Sequence, residues 1–109
     1  MLKGLFGNKT IEKVLFYLKA YRRGYPRGMA RELGGSLRPI VVQLDKLESA
    51  GIVVSTLMGR IRLYEFNPRY PLLEPLLHFL ERAMEFLPAK DRARLYERRT
   101  RPRRAGKPS

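Results

Sequence analysis

Met29-Ala30-Arg31-Glu32-Leu33-Gly34-Gly35-Ser36-Leu37-Arg38-Pro39-Ile40 decides the fold. A short helix-forming run meets a glycine pair, and Ser36 then stands at a preferred helix N-cap. Beyond it, Leu37, Ile40, Leu44 and Leu47 fall within about an 80° arc at 100° per residue, which is one buried stripe of an α-helix. The spacing predicts a helix over 37–50, with Pro39 tolerated in its first turn and Gly51 as the glycine just past its end. Upstream, Pro26 suits the first turn of a helix over 26–33, with Met29, Ala30 and Leu33 inward. Before that, Asn8 caps a helix over 8–21 whose apolar face is Ile11, Val14, Leu15, Leu18 and Tyr21, and Gly24 is expected to end it. Downstream, Ile52–Leu57 and Ile61–Phe66 read as two strands joined by the three-residue link Met58-Gly59-Arg60. Asn67-Pro68 stops the second strand. A helix over 72–87 follows, between Pro71 and Pro88.

The order is helix, helix, turn, helix, hairpin, helix. Two helices about a tight glycine turn form a helix-turn-helix, and a hairpin directly after them forms a wing. On Met29-Ala30-Arg31-Glu32-Leu33-Gly34, Ser36, Ile40, Leu44, Leu47-Glu48 and Ala50-Gly51-Ile52-Val53, the chain resembles winged helix-turn-helix transcriptional regulators of the ArsR and MarR types. Gly59-Arg60, Tyr64 and Asn67-Pro68 extend the likeness through the wing, so that it covers about residues 8–70. The resemblance implies a mainly α fold with a small β-hairpin, DNA binding, and a two-fold dimer built on terminal helices. Two departures are visible. Pro39 is unusual in a recognition helix, and the basic C-terminal extension lies outside the family pattern.

The chain has 109 residues and a net charge of +13, from 23 Lys and Arg against 10 Asp and Glu. That length fits one domain, and a basic balance of this size points to a polyanionic partner. The charge is uneven. Residues 71–88 are apolar and mildly acidic, between a basic body and a very basic end. With no Cys and a single His, the thiolate and His-pair metal sites are excluded, as is a thiol nucleophile. No cofactor is expected. A metal cluster, a Gly-rich phosphate loop and a nucleophile beside a base are all missing from the sequence, which argues against an enzyme. No apolar run reaches the roughly 18 residues of a membrane span, and the glycines and Lys9 break any leader-like run after Met1. A cytoplasmic, nucleoid-associated protein is the expectation.

With the apolar stripe of helix 37–50 toward the core, Arg38, Val42, Lys46 and Asp45 face outward, and Pro39 and Gln43 lie on the shoulder. The outer N-terminal part of such a helix enters the major groove. Arg38 has the reach for guanine or phosphate, Gln43 the amide for adenine, and Val42 or Pro39 the apolar surface for a thymine methyl. Ser36 is expected both to cap the helix and to approach phosphate. At the hairpin tip, Arg60 and Arg62 suit the backbone or minor groove. Arg27 and Arg31, on the helix that crosses the backbone, are candidates for phosphate.

In helix 72–87 the polar residues Glu74, His78, Glu81, Arg82 and Glu85 make a single stripe. The remaining apolar surface exceeds what a small domain needs for its own core, so it predicts a partner surface. Leu73, Leu76, Leu77, Leu80, Met84 and Leu87 are the expected homodimer contacts. Residues 1–88 are then one winged domain and 89–109 a basic extension, disordered toward its end. The leading function is a sequence-specific regulator of double-stranded DNA. A non-specific nucleic-acid binder, of chromatin or RNA, is the alternative. A winged helix docking on another protein is a third reading, and a membrane partner is not expected.

Overall fold

The computed structural model describes residues 3–88. Within them the order is α1 (Lys3–Phe6), α2 (Lys9–Tyr21), β1 (Arg23–Gly24), α3 (Pro26–Leu33), α4 (Leu37–Ser49), β2 (Val53–Met58), β3 (Ile61–Phe66) and α5 (Leu73–Met84). The extension expected over 89–109 lies outside the described residues.

The predicted helices form where their apolar periodicity places them, except that α5, expected over 72–87, spans only Leu73–Met84. Asn8 caps α2, its side-chain oxygen accepting from the Ile11 N–H at 2.8 Å. Pro26 opens α3, and Gly34 closes it in the left-handed conformation at φ 72°. Gly51, at φ 79°, follows α4. Together α3, the glycine turn and α4 make the helix-turn-helix. The core is a single cluster that includes Val14, Leu15 and Leu18 from α2, Met29 from α3, Ile40, Leu44 and Leu47 from α4, Val53 and Tyr64 from the sheet, and Leu80, Ala83 and Met84 from α5. Helix α2 packs on both α4 and α5, so it is the central beam that sets the other helices.

The sheet has three antiparallel strands in the order β1-β3-β2. Pairing runs from Val53↔Phe66 to Met58↔Ile61. Met58 is therefore a strand residue, and the turn is the two residues Gly59-Arg60 rather than the three expected. Gly59 makes it possible at φ 64°, a backbone that a side chain disfavours.

Two short elements carry no periodicity and escape sequence reading: α1 and the two-residue β1, which pairs Arg23↔Glu65 and Gly24↔Tyr64. β1 also corrects the expected role of Gly24. Helix α2 ends at Tyr21 and is capped by Arg22, which takes φ 78° while its N–H bonds the Leu18 carbonyl at 2.8 Å. Gly24 is instead a close-approach residue. A Cβ there would lie 2.6 Å from Tyr17 Cε1 and 3.1 Å from Met29 Cε. The Tyr17 ring is itself held against Tyr21, 4.5 Å between centroids. Gly24→Ala should accordingly destabilise the fold by about 1–3 kcal/mol through overpacking, as a chemical-denaturation midpoint will show. An unchanged midpoint would mean the ring yields freely.

Ser36 occupies the N-cap position of α4 with extended backbone, but its hydroxyl makes no capping hydrogen bond. The expected side-chain cap is thus absent. The chain entering α4 is set by the glycine turn instead, where the Gly34 and Gly35 N–H groups both bond the Ala30 carbonyl, at 2.9 and 3.1 Å.

Candidate nucleic-acid interface

Helix α4 is held on three sides, by α2, α3 and β2. Its remaining side is exposed and carries Arg38, Pro39, Asp45, Lys46 and Ser49, with Ser36 at its head and Val42 half-buried beside them. Arg38, Asp45 and Ser49 lie within about 40° of one another around the axis, so one outward arc begins with a guanidinium at the N-terminal end. A shallow groove of about 60 Å³ opens at this end, lined in part by Thr10, Lys13, Ser36 and Pro39. The first N–H groups of the helix and the Lys13 ammonium make this end favourable for anions.

Gln43 is not part of this surface. It is only 8% exposed, on the side of α4 that carries Ile40 and Leu47. The covered arc is wider than the four-residue apolar stripe, because three elements rather than one enclose the helix. A shoulder position in the sequence is therefore an inside position in the fold, and Gln43 leaves the set of candidate base readers.

The wing stands beside α4 and is fastened to it. Cross-strand partners share a face of the sheet, so Val53·Phe66, Ser55·Tyr64 and Leu57·Arg62 form one face, and Val54·Glu65, Thr56·Leu63 and Met58·Ile61 the other. Burial of Val53 and Tyr64 marks the first as the inner face. On it, the Arg62 guanidinium donates to the Ser55 hydroxyl at 3.1 Å, and that hydroxyl donates to the Glu48 carboxylate at 2.7 Å. A chain of three side chains thus ties the wing's cation to the far end of α4. Arg60 is exposed at the turn itself.

Neither Ser55 nor Glu48 stands out in the sequence as an orienting residue. The available signal was the two-residue alternation that puts Ser55 and Arg62 on the face of Val53 and Tyr64. Asn67, expected to stop the second strand, does more: its amide donates to the Gly51 carbonyl at 2.9 Å, its N–H bonds the Ile52 carbonyl at 2.9 Å, and its side-chain oxygen accepts from the Arg69 N–H at 3.0 Å. The Asn-Pro pair is a known local turn builder, and that was the signal available.

On α3, Arg27 and Arg31 are both exposed. Arg31 donates to the Tyr25 hydroxyl at 3.0 Å, which holds its side chain along the helix. Close by, the Tyr17 phenol is pushed up to about 12, first by burial and then by the charges of Glu32 and Tyr25. It is a neutral core residue at any ordinary pH. Among the described residues, no group of three or more His, Cys, Asp or Glu is placed to hold a metal ion, and no helix is long and apolar enough to cross a membrane.

Helix α5 divides the six residues expected at a dimer contact. Leu80 and Met84, at 0% and 4% exposure, belong to the chain's own core, because α5 packs on α2 along that line. Leu73, Leu76, Leu77 and Leu87 are half-buried. The outermost apolar residues are ones the sequence reading did not single out: Leu72, Phe79 and Phe86 are all exposed. They are spaced seven residues apart, with Leu72 at the N-cap of α5, Phe79 within it and Phe86 just past its C-cap. Phe79 also meets Phe6 of α1 edge-on, 6.2 Å between centroids, so α1 adjoins these residues at Phe79.

This arrangement of helix-turn-helix, three-stranded sheet and wing is the winged helix-turn-helix fold. No family model matches the chain, and no curated protein matches it. Solved structures do. The transcriptional regulator BldR from Sulfolobus solfataricus aligns with a TM-score of 0.58 at 17% identity, over 77% of this chain and 60% of BldR. A mutant of Lactococcus lactis ZitR in apo form aligns at 0.54 and 16%, over 71% of this chain and 61% of ZitR. The adhesin competence repressor AdcR from Streptococcus pyogenes aligns at 0.53 and 17%, over 89% of this chain and 81% of AdcR. At these identities the likeness establishes the fold. The chain spans about three fifths of the length of BldR and ZitR.

Proposed function

We propose that this chain is a sequence-specific, DNA-binding transcriptional regulator, acting as a homodimer beside the nucleoid. Helix α4 enters the major groove, and the wing lies on the backbone and in the minor groove. The observation that carries this reading is the exposed, partly basic surface of α4 after the glycine turn, with Ser36, Arg38 and Lys46, and beside it a wing that exposes Arg60 and Arg62, the last tied to α4 through Ser55 and Glu48. BldR, a transcriptional regulator, and AdcR, a repressor, agree with it in kind.

Phosphate contacts supply most of the affinity, and a few groove contacts supply preference. Arg27 and Arg31 serve as phosphate contacts on α3. Arg38, Pro39 and Val42 are left as the groove readers once Gln43 is turned inward. The homodimer forms through Leu72, Phe79 and Phe86, bordered by Leu73, Leu76, Leu77 and Leu87. Residues 89–109, which contain nine Lys and Arg, add affinity without reading sequence. Selection of bound duplexes from a random library, with light-scattering mass in parallel, tests the whole reading. A recurrent palindromic motif and a doubled mass support it, while no enrichment or a strict monomer refutes it.

The loss of Gln43 as a reader favours one rival, a general nucleic-acid binder. Arg38→Ala separates the two. For a regulator it costs about 1–3 kcal/mol on the selected duplex and blurs preference at one base pair. An equal loss on every sequence would make Arg38 a phosphate contact and favour the rival.

A further inference from the structure

The wing tip is apolar in a way that phosphate binding does not explain. Leu57, Met58 and Ile61 are 61%, 52% and 41% exposed. Met58 and Ile61 are cross-strand partners on the outer face, immediately before and after the turn, and Leu57 stands opposite Arg62 on the inner face. The end of the hairpin is therefore greasy on both sides, with Arg60 at its point and Arg62 at its flank. Resting on the reading of the preceding subsection, we infer that this tip is a wedge that enters the minor groove, parts a base step and bends the duplex.

Reach supports it. Ser55 and Tyr64 mark the last paired rung tied to the body, and three residues of β2 project past them, an overhang of about 10 Å. The minor groove is about 7.5 Å deep and about 6 Å wide, so the tip reaches its floor. Two strands about 4.8 Å apart, with their side chains, are too thick for that width. Entry requires the groove to open, and apolar side chains such as Met, Ile and Leu, pushed between base steps, open it by unstacking and kinking.

Charge selects the occupant. Residues 56–62 hold two Arg and no Asp or Glu. A second copy seated tip to tip would press four guanidiniums together, whereas a polyanion neutralises them while the bases accept the apolar side chains. The wedge should prefer TA and CA/TG steps, which unstack most easily.

The test uses the full chain and a duplex of about 30 base pairs with a central TA step, carrying a donor and acceptor at its ends and 2-aminopurine beside the step. Wild type should draw the ends together and raise the 2-aminopurine emission about twofold or more as the base unstacks. The double variant Met58→Ser, Ile61→Ser should bind within about tenfold of wild type, because its arginines remain, yet leave the duplex straight and dark. Arg60→Ala should weaken binding but bend the duplex fully at saturation. Both substituted apolar residues are exposed, and an unchanged circular dichroism melt confirms the variant is folded. Wild-type binding to a duplex that stays straight overturns the wedge alone, whereas no binding to any duplex overturns the regulator reading as well. A bend unchanged in the double variant, with its light-scattering mass lowered, would make the tip a protein contact and end the proposal.

Discussion

Raising monovalent salt from about 50 to about 200 mM should weaken duplex binding by on the order of 10⁴-fold. The expectation follows from the exposed cations of α3, α4 and the wing. If each protomer of a dimer neutralises about four phosphates, released counterions give a slope of about −7 in log affinity against log salt. The candidates are Arg27, Arg31, Arg38, Lys46, Arg60 and Arg62, all exposed. Arg62 already shares a hydrogen bond with Ser55, so its contribution should be the smallest of the wing pair. The measurement is a fluorescence-anisotropy titration at four or more salt concentrations. A slope near zero would remove phosphate neutralisation as the source of affinity, and with it the reading of these cations.

The second large effect concerns α5. Leu80→Ala should destabilise the folded chain by about 2–5 kcal/mol, since it empties a fully enclosed site that can collapse only in part. For a domain of this size that lowers the thermal midpoint by roughly 10–20 °C. A serine at Phe86 should behave differently. Phe86 is 69% exposed, so Phe86→Ser leaves the packing of one chain unchanged and acts on the contact between chains. Its midpoint should fall only where protein concentration governs it, because dimer formation stabilises by mass action, and its light-scattering mass should drop toward the monomer. The two substitutions lie six residues apart and separate the two duties of the helix. A Leu80→Ala protein that kept its midpoint and lost only mass would show that α5 faces its partner along the opposite line.

The same helix shows what the sequence can and cannot say. Its apolar excess was plain, because ten large or small apolar residues crowd a sixteen-residue stretch with one polar stripe. Which part of that excess faces inward was not plain, because the answer depends on where α2 lies, and nothing local to 72–87 encodes the position of α2. Gln43 failed for a related reason. The pattern Leu37, Ile40, Leu44 and Leu47 located the middle of the buried arc but not its width, which three neighbouring elements set. The existence of the hairpin, the glycine turn and the starts of α2 and α3 were readable because each is a local conflict between backbone and side chain, settled within a few residues. The turn length, the residue that caps the end of α2 and the end of α5 were not. β1 was not readable. Two residues carry no period, and Gly24 is required by the ring of Tyr17, seven positions earlier and one element away.

Asn67 gives the hairpin a common footing. Its contacts with Gly51, Ile52 and Arg69 gather the start of β2 and the exit from β3 at one post. Residues added or removed near Gly59 would therefore lengthen or shorten the projection while its bearing stayed anchored at the root. Reach and aim are separately adjustable in this architecture, so descendants of the chain are free to explore longer or blunter fingers without rebuilding the palm.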